Sequence, residues 1–557
     1  MLRTRLSLAL AALVLTTGPA LAQPALVQKD ELVIGVAQFP AALHPNLESH
    51  VVQSLVLGMT QRPFTTYDAD WKLICMLCTE LPDRAKGSAR EYTTPDGKPG
   101  WALDYAIDPR AKWGDGTPIT TRDVQFVYEV GRNPDAGANN QEMYKTFERL
   151  EVKDERRFTF YTNKRECDYQ GLGDFELVPA HIEEPIYRQG AKEYRNRTAY
   201  QTQATNPGIW FGPYVVSKIE PGATIVLERN PNWWGKPAAF RRIVFRTIEN
   251  TAALEANLLS GAIDYIAGED GITLDQALAF EKRYGDRYNV VYRPGLIYEH
   301  VDLFLENPLL ADARVRQALL MGIDREAISA RLFEGKQPVA HGGVNPLDAV
   351  YDPKTPTYPF DPRRAGALLD AAGFRPGRDG IRTNAAGQTL SLDLMTTAGN
   401  RVRELVETVI QSDLKQIGVD IKIRNEPAQV FFGQTMRERK FGALGMFAWV
   451  SSPKNIPYTT LHSSMIPTAA NNWSGQNYTG FRNAEMDSVL DRIRVECGDD
   501  QQAQLWSRIQ SLYAEELPVL PLYFRTNPYV MPKQLKGVRP TGHQYPSTLW
   551  VEDWRWE

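Results

Sequence analysis

The sequence predicts an α/β protein built as two lobes, and three observations lead to that prediction. The chain has 557 residues, several times the roughly 150 residues of an average domain. Segment 390–424 has the pattern strand, helix, strand, which is typical of parallel strands covered by a helix. Segment 224–266 contains a second assembly of strands and a helix. Two α/β assemblies in one chain indicate two lobes, and a cleft between lobes is a preferred place for a ligand.

Apolar runs bounded by turn residues predict the individual elements. The predicted strands are 31–37, 101–107, 157–161, 224–229, 242–248, 263–266, 390–396, 419–424 and 443–450. The predicted helices are 123–131, 250–259, 361–372 and 400–417. A capping box at Thr120 and Asp123 opens the first helix. Gly261, Gly373 and Gly418 end the other three helices.

Composition places the chain among globular proteins. Apolar residues make up 43% and charged residues 23%, with a formal net charge of −4. This composition excludes disordered, collagen-like and coiled-coil proteins, and the charge excludes a strongly basic nucleic-acid binder. The chain contains 12 Trp, 24 Tyr and 21 Phe, and such aromatic side chains are useful in binding clefts.

The first 22 residues have the pattern of a secretory signal peptide. Arg3 and Arg5 precede an apolar stretch at 6–15, and Ala20 and Ala22 form a small-x-small cleavage site. We expect cleavage after Ala22 and a periplasmic protein. No Cys follows the cleavage site, so no lipid anchor is expected, and no later stretch approaches the 18 apolar residues of a membrane span.

Four cysteines occur, at Cys75, Cys78, Cys167 and Cys497. Disulfides form in an oxidising compartment, and four cysteines allow three pairings between which the sequence does not choose. Cys75 and Cys78 have the spacing of a redox motif, but the residues that follow do not open a helix as such a site requires. A structural disulfide or a pair of buried thiols is the preferred interpretation.

Motif searches favour binding over catalysis. The sequence contains no P-loop, no GxSxG nucleophile elbow and no HExxH zinc motif. We therefore expect no enzyme activity, no cofactor and no metal. The alternative from another class is a secreted hydrolase, in which two carboxylates far apart in the sequence meet as an acid–base pair.

Five segments carry a family likeness, in a fixed order from about residue 32 to about residue 529. They are 111–124, which contains Asp-Gly-Thr-Pro; 211–214 with 226–234; 259–264; 312–319 with 322–325; and 517–523. With these segments the chain resembles the extracytoplasmic solute-binding proteins of peptide- and nickel-type ABC importers. The family includes oligopeptide- and dipeptide-binding proteins.

The resemblance implies a type II periplasmic-binding-protein fold with mixed sheets, an extra domain and a ligand cleft between lobes. Lobe I comprises 23–64, 200–293 and 517–557, the extra domain 65–199, and lobe II 294–516. It also implies a monomer that closes on a solute by hinge motion and delivers it to a membrane permease. ATP hydrolysis then belongs to separate subunits, and no nucleic acid is involved.

The ligand class is open at this stage. Peptide binders of this family hold the ligand ammonium with Asp in a Trp-x-x-Asp stretch, and the matching position after Trp449 is Ser452. A hydroxyl does not supply the charge that a desolvated ammonium requires. Glu269, Asp270 or Glu299 could replace that Asp. A peptide is the first expectation, and an oligosaccharide or another non-peptide solute is the second.

The candidate cleft residues follow from the matching segments and combine aromatic, amide, hydroxyl and carboxylate side chains. They are Trp210, Gly268, Glu269, Tyr298, Glu299, His300, Trp449, Ser451, Ser452, Asn472 and Trp473.

Overall fold

A computed structural model describes residues 29–40, 42–47, 51–138, 140–248, 250–471, 473 and 475–557. The predicted signal peptide and the predicted site residue Asn472 lie outside the described residues. Within the described part of the chain, no helix combines the length and the apolar character that crossing a membrane requires.

The strands, in chain order, are β1 (Glu31–Val36), β2 (Thr65–Tyr67), β3 (Leu73–Cys75), β4 (Ala89–Thr93), β5 (Pro99–Ala106), β6 (Phe147–Val152), β7 (Arg157–Thr162), β8 (Tyr214–Glu220), β9 (Thr224–Arg229), β10 (Arg242–Thr247), β11 (Tyr265–Ile266), β12 (Tyr288–Leu303), β13 (Arg375–Pro376), β14 (Arg382–Thr383), β15 (Ser391–Met395), β16 (Asp420–Ile423), β17 (Leu444–Val450), β18 (Val519–Pro532), β19 (Leu535–Lys536) and β20 (Arg555–Trp556).

The α-helices are α1 (Val51–Thr60), α2 (Thr121–Arg132), α3 (Gln141–Thr146), α4 (Ala180–Tyr187), α5 (Ala191–Arg197), α6 (Ala199–Thr202), α7 (Thr251–Ser260), α8 (Leu274–Tyr284), α9 (Ala313–Met321), α10 (Arg325–Phe333), α11 (Pro362–Ala371), α12 (Arg401–Gln416), α13 (Ala428–Val430), α14 (Tyr458–Leu461), α15 (Ala484–Ile493) and α16 (Asp499–Glu516). A π-helical segment (Phe431–Met436) follows α13, and short 3-10 turns connect other elements.

The predicted helices and strands are all confirmed, and their ends agree to within two residues. The short strand predicted at 263–266 keeps only Tyr265–Ile266. The helix α2 has the predicted capping box. The Asp123 carboxylate accepts from the Thr120 backbone N–H at 2.8 Å, and the Thr120 hydroxyl accepts from the amide of Arg122 at 3.3 Å. The strand–helix–strand unit also holds, since β15 and β16 are parallel neighbours.

One sheet of ten strands organises the molecule, in the order β16-β15-β17-β12-β18-β11-β1-β10-β9-β8. β1 runs parallel to β10 and β11, and β15 runs parallel to β16 and β17. The other neighbours in this sheet are antiparallel, so the sheet is mixed. The long strands β12 and β18 join its two halves.

Each half of the sheet has its own apolar core. The first core takes side chains from β1, α1, β5, α2, β7 to β10 and the C-terminal residues. The second core takes side chains from β12, α9 to α11, β15, α12, β16 and β17. This is the predicted two-lobed α/β arrangement. A separate antiparallel sheet, β4-β5-β7-β6, contributes to the first core, while the boundaries given above for the extra domain and the lobes stay a prediction.

The cysteines form two disulfides, Cys75–Cys78 and Cys167–Cys497. The second disulfide connects residues 330 positions apart. Cys497 packs against the first core, whereas its neighbours in α15 and α16 build a third core with Leu461 and Val519. Beside the disulfide, Arg494 forms an ion pair with Glu166 at 3.0 Å. The disulfide therefore joins two separately packed parts of the molecule.

We expect Cys497→Ser to lower the free energy of unfolding by roughly 2–5 kcal/mol, because a disulfide that closes a long loop restricts the unfolded chain strongly. Urea denaturation followed by tryptophan fluorescence measures the loss. Cys75→Ser is the matched control, since its disulfide closes only a three-residue separation. Equal losses for the two variants would contradict the expectation.

Candidate functional site

A cavity of about 150 Å³ lies beside the paired ends of β12 and β17; we call it the aromatic cavity. β12 contributes Tyr298, His300 and Asp302, which share one face because alternate residues of a strand point the same way. Trp449 and Ser451 come from the end of β17 and the residue after it. The other lining residues are His341, Gly342, Gly343, Val344, Tyr351, Thr355, Thr357, Val450, Asn455, Pro457, Thr459, Thr460, Leu461, Gln476, Ile509, Gln510, Tyr513 and Val519.

The antiparallel register of β12 and β17 builds an aromatic wall. It pairs Tyr298 with Trp449 and His300 with Phe447. The His300 ring stacks on Tyr298 with centroids 5.0 Å apart and meets Phe447 edge-on at 4.5 Å. Directly opposed side chains in a sheet contact each other in this way, so the register fixes the shape of the wall.

Polar atoms of the aromatic cavity differ in whether the protein supplies them with a partner. The hydroxyls of Tyr298 and Tyr513 share a hydrogen bond of 2.7 Å, and His300 Nε2 lies 3.3 Å from Asp302 Oδ1. In contrast, His341 Nδ1 and Thr355 Oγ1 have no hydrogen-bond partner in the described part of the chain. Buried polar atoms normally bind protein, water or a ligand. These two atoms therefore give the cavity hydrogen-bonding capacity for a guest molecule.

The His341 side chain lines the aromatic cavity as a neutral imidazole. Burial, together with the Arg325 guanidinium, lowers the pKa of His341 below its ordinary value. Its ring therefore offers one donor and one acceptor at neutral pH.

The opposite face of β12 carries a charge cluster with a structural role. The Glu299 side chain is fully buried. Its Oε1 accepts from Arg403 Nε at 2.6 Å, and its Oε2 accepts from Arg525 Nε at 2.8 Å. Glu299 thus ties α12 and β18 to β12, and its charge is already balanced by two guanidinium groups.

Of the predicted site residues, the structure brings Tyr298, His300, Trp449 and Ser451 together at the aromatic cavity. Trp210 instead lies in the first core without exposed surface, and its indole N–H donates to the Ala204 carbonyl at 2.9 Å.

Gly268 and Glu269 follow β11 and lie apart from the aromatic cavity. A Cβ at Gly268 would stand 2.8 Å from the Tyr529 ring, so glycine is required by close packing. Burial raises the pKa of Glu269 to about 7, and the interaction of its carboxyl group with the Tyr529 hydroxyl opposes this rise.

Ser452 and Trp473 also lie outside the cavity lining. The Ser452 carbonyl accepts from the Asn455 amide at 3.2 Å in a turn. Trp473 has left-handed backbone geometry, with φ of 58°, and its amide donates to the Thr468 carbonyl at 2.8 Å. The ligand roles predicted for these residues, and for Trp210, Gly268, Glu269 and Glu299, stay predictions.

Sequence reasoning missed most of the wall opposite β12. Asp302 could have been predicted as a lining residue, since it continues the every-second-residue spacing of Tyr298 and His300 along the strand. His341 and Tyr513 come from a loop and from α16, far away in sequence, and carry no motif. Among the residues that the structure describes, no group of three or more His, Cys, Asp or Glu side chains could hold a metal ion.

Comparisons with known proteins identify the family. The sequence model of the bacterial extracellular solute-binding proteins, family 5 (middle part) matches residues 96–467. Oligopeptide-binding protein AppA of Bacillus subtilis is 26% identical over 451 residues, which cover 79% of this chain and 78% of AppA.

Two of the solved structures that are similar to this chain each align with 95% of its residues. The oligopeptide-binding protein of Thermus thermophilus, complexed with a pentapeptide, is 31% identical with a TM-score of 0.67, and 96% of it is covered. AppA of Bacillus subtilis in complex with a nonapeptide is 23% identical with a TM-score of 0.65, and 99% of it is covered. The chain belongs to the bacterial extracellular solute-binding proteins, family 5.

We expect Glu299→Gln to lower the free energy of unfolding by about 3 kcal/mol, because it leaves two guanidinium groups without their buried carboxylate. Thermal and urea denaturation measure the change. Glu193→Gln, at an exposed position of α5, is the matched control and should be neutral. A Glu299→Gln variant as stable as the wild type would contradict the structural role.

Proposed function

We propose that the chain is the substrate-binding subunit of an ABC importer and that it captures peptides between its two lobes. The observation that carries the proposal is the likeness to the Thermus thermophilus protein, which was solved with a pentapeptide and matches 95% of this chain at 31% identity. The likeness to the oligopeptide-binding protein AppA supports it.

The chemistry of the aromatic cavity suits part of a peptide. Its walls combine the rings of Tyr298, Trp449 and Tyr513 with hydroxyl, amide and imidazole groups. Aromatic side chains supply a large apolar contact area, and a few polar groups fix the orientation of the ligand. We propose that the cavity receives a peptide group or a side chain without negative charge, because none of its described lining residues is Lys or Arg and Asp302 is among them.

Delivery completes the proposed role. The family consists of extracellular solute-binding proteins, and export through the predicted signal peptide would place this chain in the periplasm. There a monomer would close on the peptide and dock on a membrane permease whose ATPase resides on other subunits. The protein acts by binding, so a secreted hydrolase and an oligosaccharide carrier are the less favoured alternatives.

Native mass spectrometry of the exported protein tests the ligand class directly. We expect peptides to be released from the purified protein on denaturation. Penta-alanine added at 100 times its dissociation constant should stabilise the fold by about 2.7 kcal/mol, and chromatography should recover it uncleaved. Recovery of a sugar, or of cleaved penta-alanine, would overturn the proposal.

Trp449→Ala tests the part played by the aromatic cavity. Removal of a central aromatic contact commonly costs about 2 kcal/mol of binding energy, so the dissociation constant for penta-alanine should rise roughly 30-fold. Isothermal titration calorimetry measures the change. Trp556→Ala is the matched control, since Trp556 is half-buried and is not part of the cavity lining. Equal affinities of both variants would exclude the cavity from the peptide site.

A further inference from the structure

The Cys167–Cys497 disulfide is a third covalent connection between the two halves of the molecule. The other two connections are β12 and β18, the long strands that belong to both halves of the ten-stranded sheet. Among the described apolar side chains of residues 295–517, that of Cys497 alone packs against the first core. The disulfide therefore passes from one half to the other outside the two shared strands.

The segment that carries Cys497 is held firmly on α16. It is the loop between α15 and α16, and Gln502 Nε2 donates to the carbonyls of Ile493 at 2.6 Å and Glu496 at 2.8 Å. The two helices pack together in the third core, to which Ile493 and Trp506 contribute. A loop that is bonded to a packed pair of helices moves together with them.

The segment that carries Cys167 is held on the antiparallel sheet β4-β5-β7-β6. The Trp101 indole N–H of β5 donates to the Glu166 carbonyl at 2.7 Å, and the Trp101 ring lies against the Tyr169 ring with centroids 4.6 Å apart. The Cα atoms of Cys167 and Cys497 are 5.0 Å apart, and a disulfide permits at most about 7 Å. Both ends of the connection are therefore fixed to packed elements, and the bond between them is short.

An ion pair accompanies the disulfide. Arg494 Nη2 lies 3.0 Å from Glu166 Oε1, and both side chains are partly exposed. The Arg494 guanidinium also lies over the Tyr458 ring, 4.6 Å from its centroid. Ion pairs that water reaches contribute little, so the covalent bond is the stronger of the two restraints.

The disulfide and the shared strands lie at opposite ends of α16. Cys497 comes just before the helix, and Leu517, which follows the helix, leads into β18. A helix of 18 residues is about 27 Å long at 1.5 Å per residue. Ile509, Gln510 and Tyr513, which line the aromatic cavity, lie between these two ends. The part of the cavity wall that α16 forms is thus held at both ends.

The shared strands by themselves are suited to a hinge. The register of β12 against β18 shifts between Pro294 and Tyr298, so the ladder is interrupted where it passes from one half to the other. Hinges of this kind consist of a few residues that absorb the change in backbone angles. Two neighbouring strands leave a rotation free between the bodies that they connect, and a third connection away from them restricts that rotation.

We propose that the Cys167–Cys497 disulfide is a tether that restricts the separation of the two lobes, so that they open only partly. The restraint itself does not depend on the ligand. Its consequence rests on the proposed function: a peptide enters and leaves through a narrow opening, and less conformational freedom is lost when the lobes close on it. Peptide exchange is therefore slower than it would be without the tether.

Small-angle X-ray scattering of the ligand-free protein tests the tether without any peptide. A compact chain of this length has a radius of gyration of about 24 Å. We expect the double variant Cys167→Ser/Cys497→Ser to open further and its radius of gyration to increase by about 1 Å. Cys75→Ser/Cys78→Ser is the matched control, since it removes a disulfide that lies within the first core, and its radius should equal that of the wild type.

A second variant keeps both cysteines and lengthens the tether. Two glycines inserted on each side of Cys497 retain the disulfide but separate it from α15 and α16, so the radius of gyration should again increase. Circular dichroism shows whether each variant is folded. A folded Cys167→Ser/Cys497→Ser variant with the wild-type radius would overturn the proposal. If that variant does not fold, the wild-type radius in the glycine variant would overturn it.

The release rate of penta-alanine, followed by stopped-flow tryptophan fluorescence, tests the consequence for exchange. We expect release from Cys167→Ser/Cys497→Ser to be roughly 10-fold faster than from the wild type, with no change in Cys75→Ser/Cys78→Ser. A larger radius without faster release would contradict the slow exchange. If penta-alanine does not bind the wild type, the proposed function fails, and the radius of gyration alone supports or overturns the tether.

Discussion

The pairing of β12 with β18 is the interaction on which the rest of the structure depends. Residues 288–294 of β12 pair with 526–532, and residues 298–302 pair with 519–524. The first stretch borders the half of the sheet that contains β1, and the second borders the half that contains β17. Because the same two strands belong to both halves, the geometry of this ladder sets the relation between the two cores.

Proline explains why these two strands were hard to predict, although the shorter strands around them were not. Proline lacks the N–H that a ladder needs, so its presence argues against a central strand. Pro294 interrupts β12, and Pro521 and Pro528 interrupt β18. In the structure Pro294 and Pro521 lie where the register shifts, positions that tolerate proline. Turn residues and apolar runs sufficed for the other predicted elements because their signals are local.

The segments that match the family predicted a small part of the aromatic cavity. Tyr298, His300 and Trp449 could be proposed because they lie in such segments. His341 and Tyr513 line the same cavity from a loop and from α16. Their positions there depend on the packing of elements that are distant in sequence, which a short sequence motif does not predict. The opposite face of β12 shows the same limit. Glu299 resembles a ligand anchor in the sequence, yet Arg403 and Arg525 come from distant elements to balance its charge.

Charge balance distinguishes the buried carboxyl groups of the protein. Glu299 is buried between two guanidinium groups, and both of its oxygens accept hydrogen bonds from arginine. Glu176 has no such arginine among the described residues, and burial together with the neighbouring Asp174 raises its pKa to about 8, so it is largely protonated at pH 7. Burial of a carboxylate charge is costly. The protein offsets that cost with two arginines at Glu299 and with a proton at Glu176, and the difference depends on distant residues that the sequence around each Glu does not reveal.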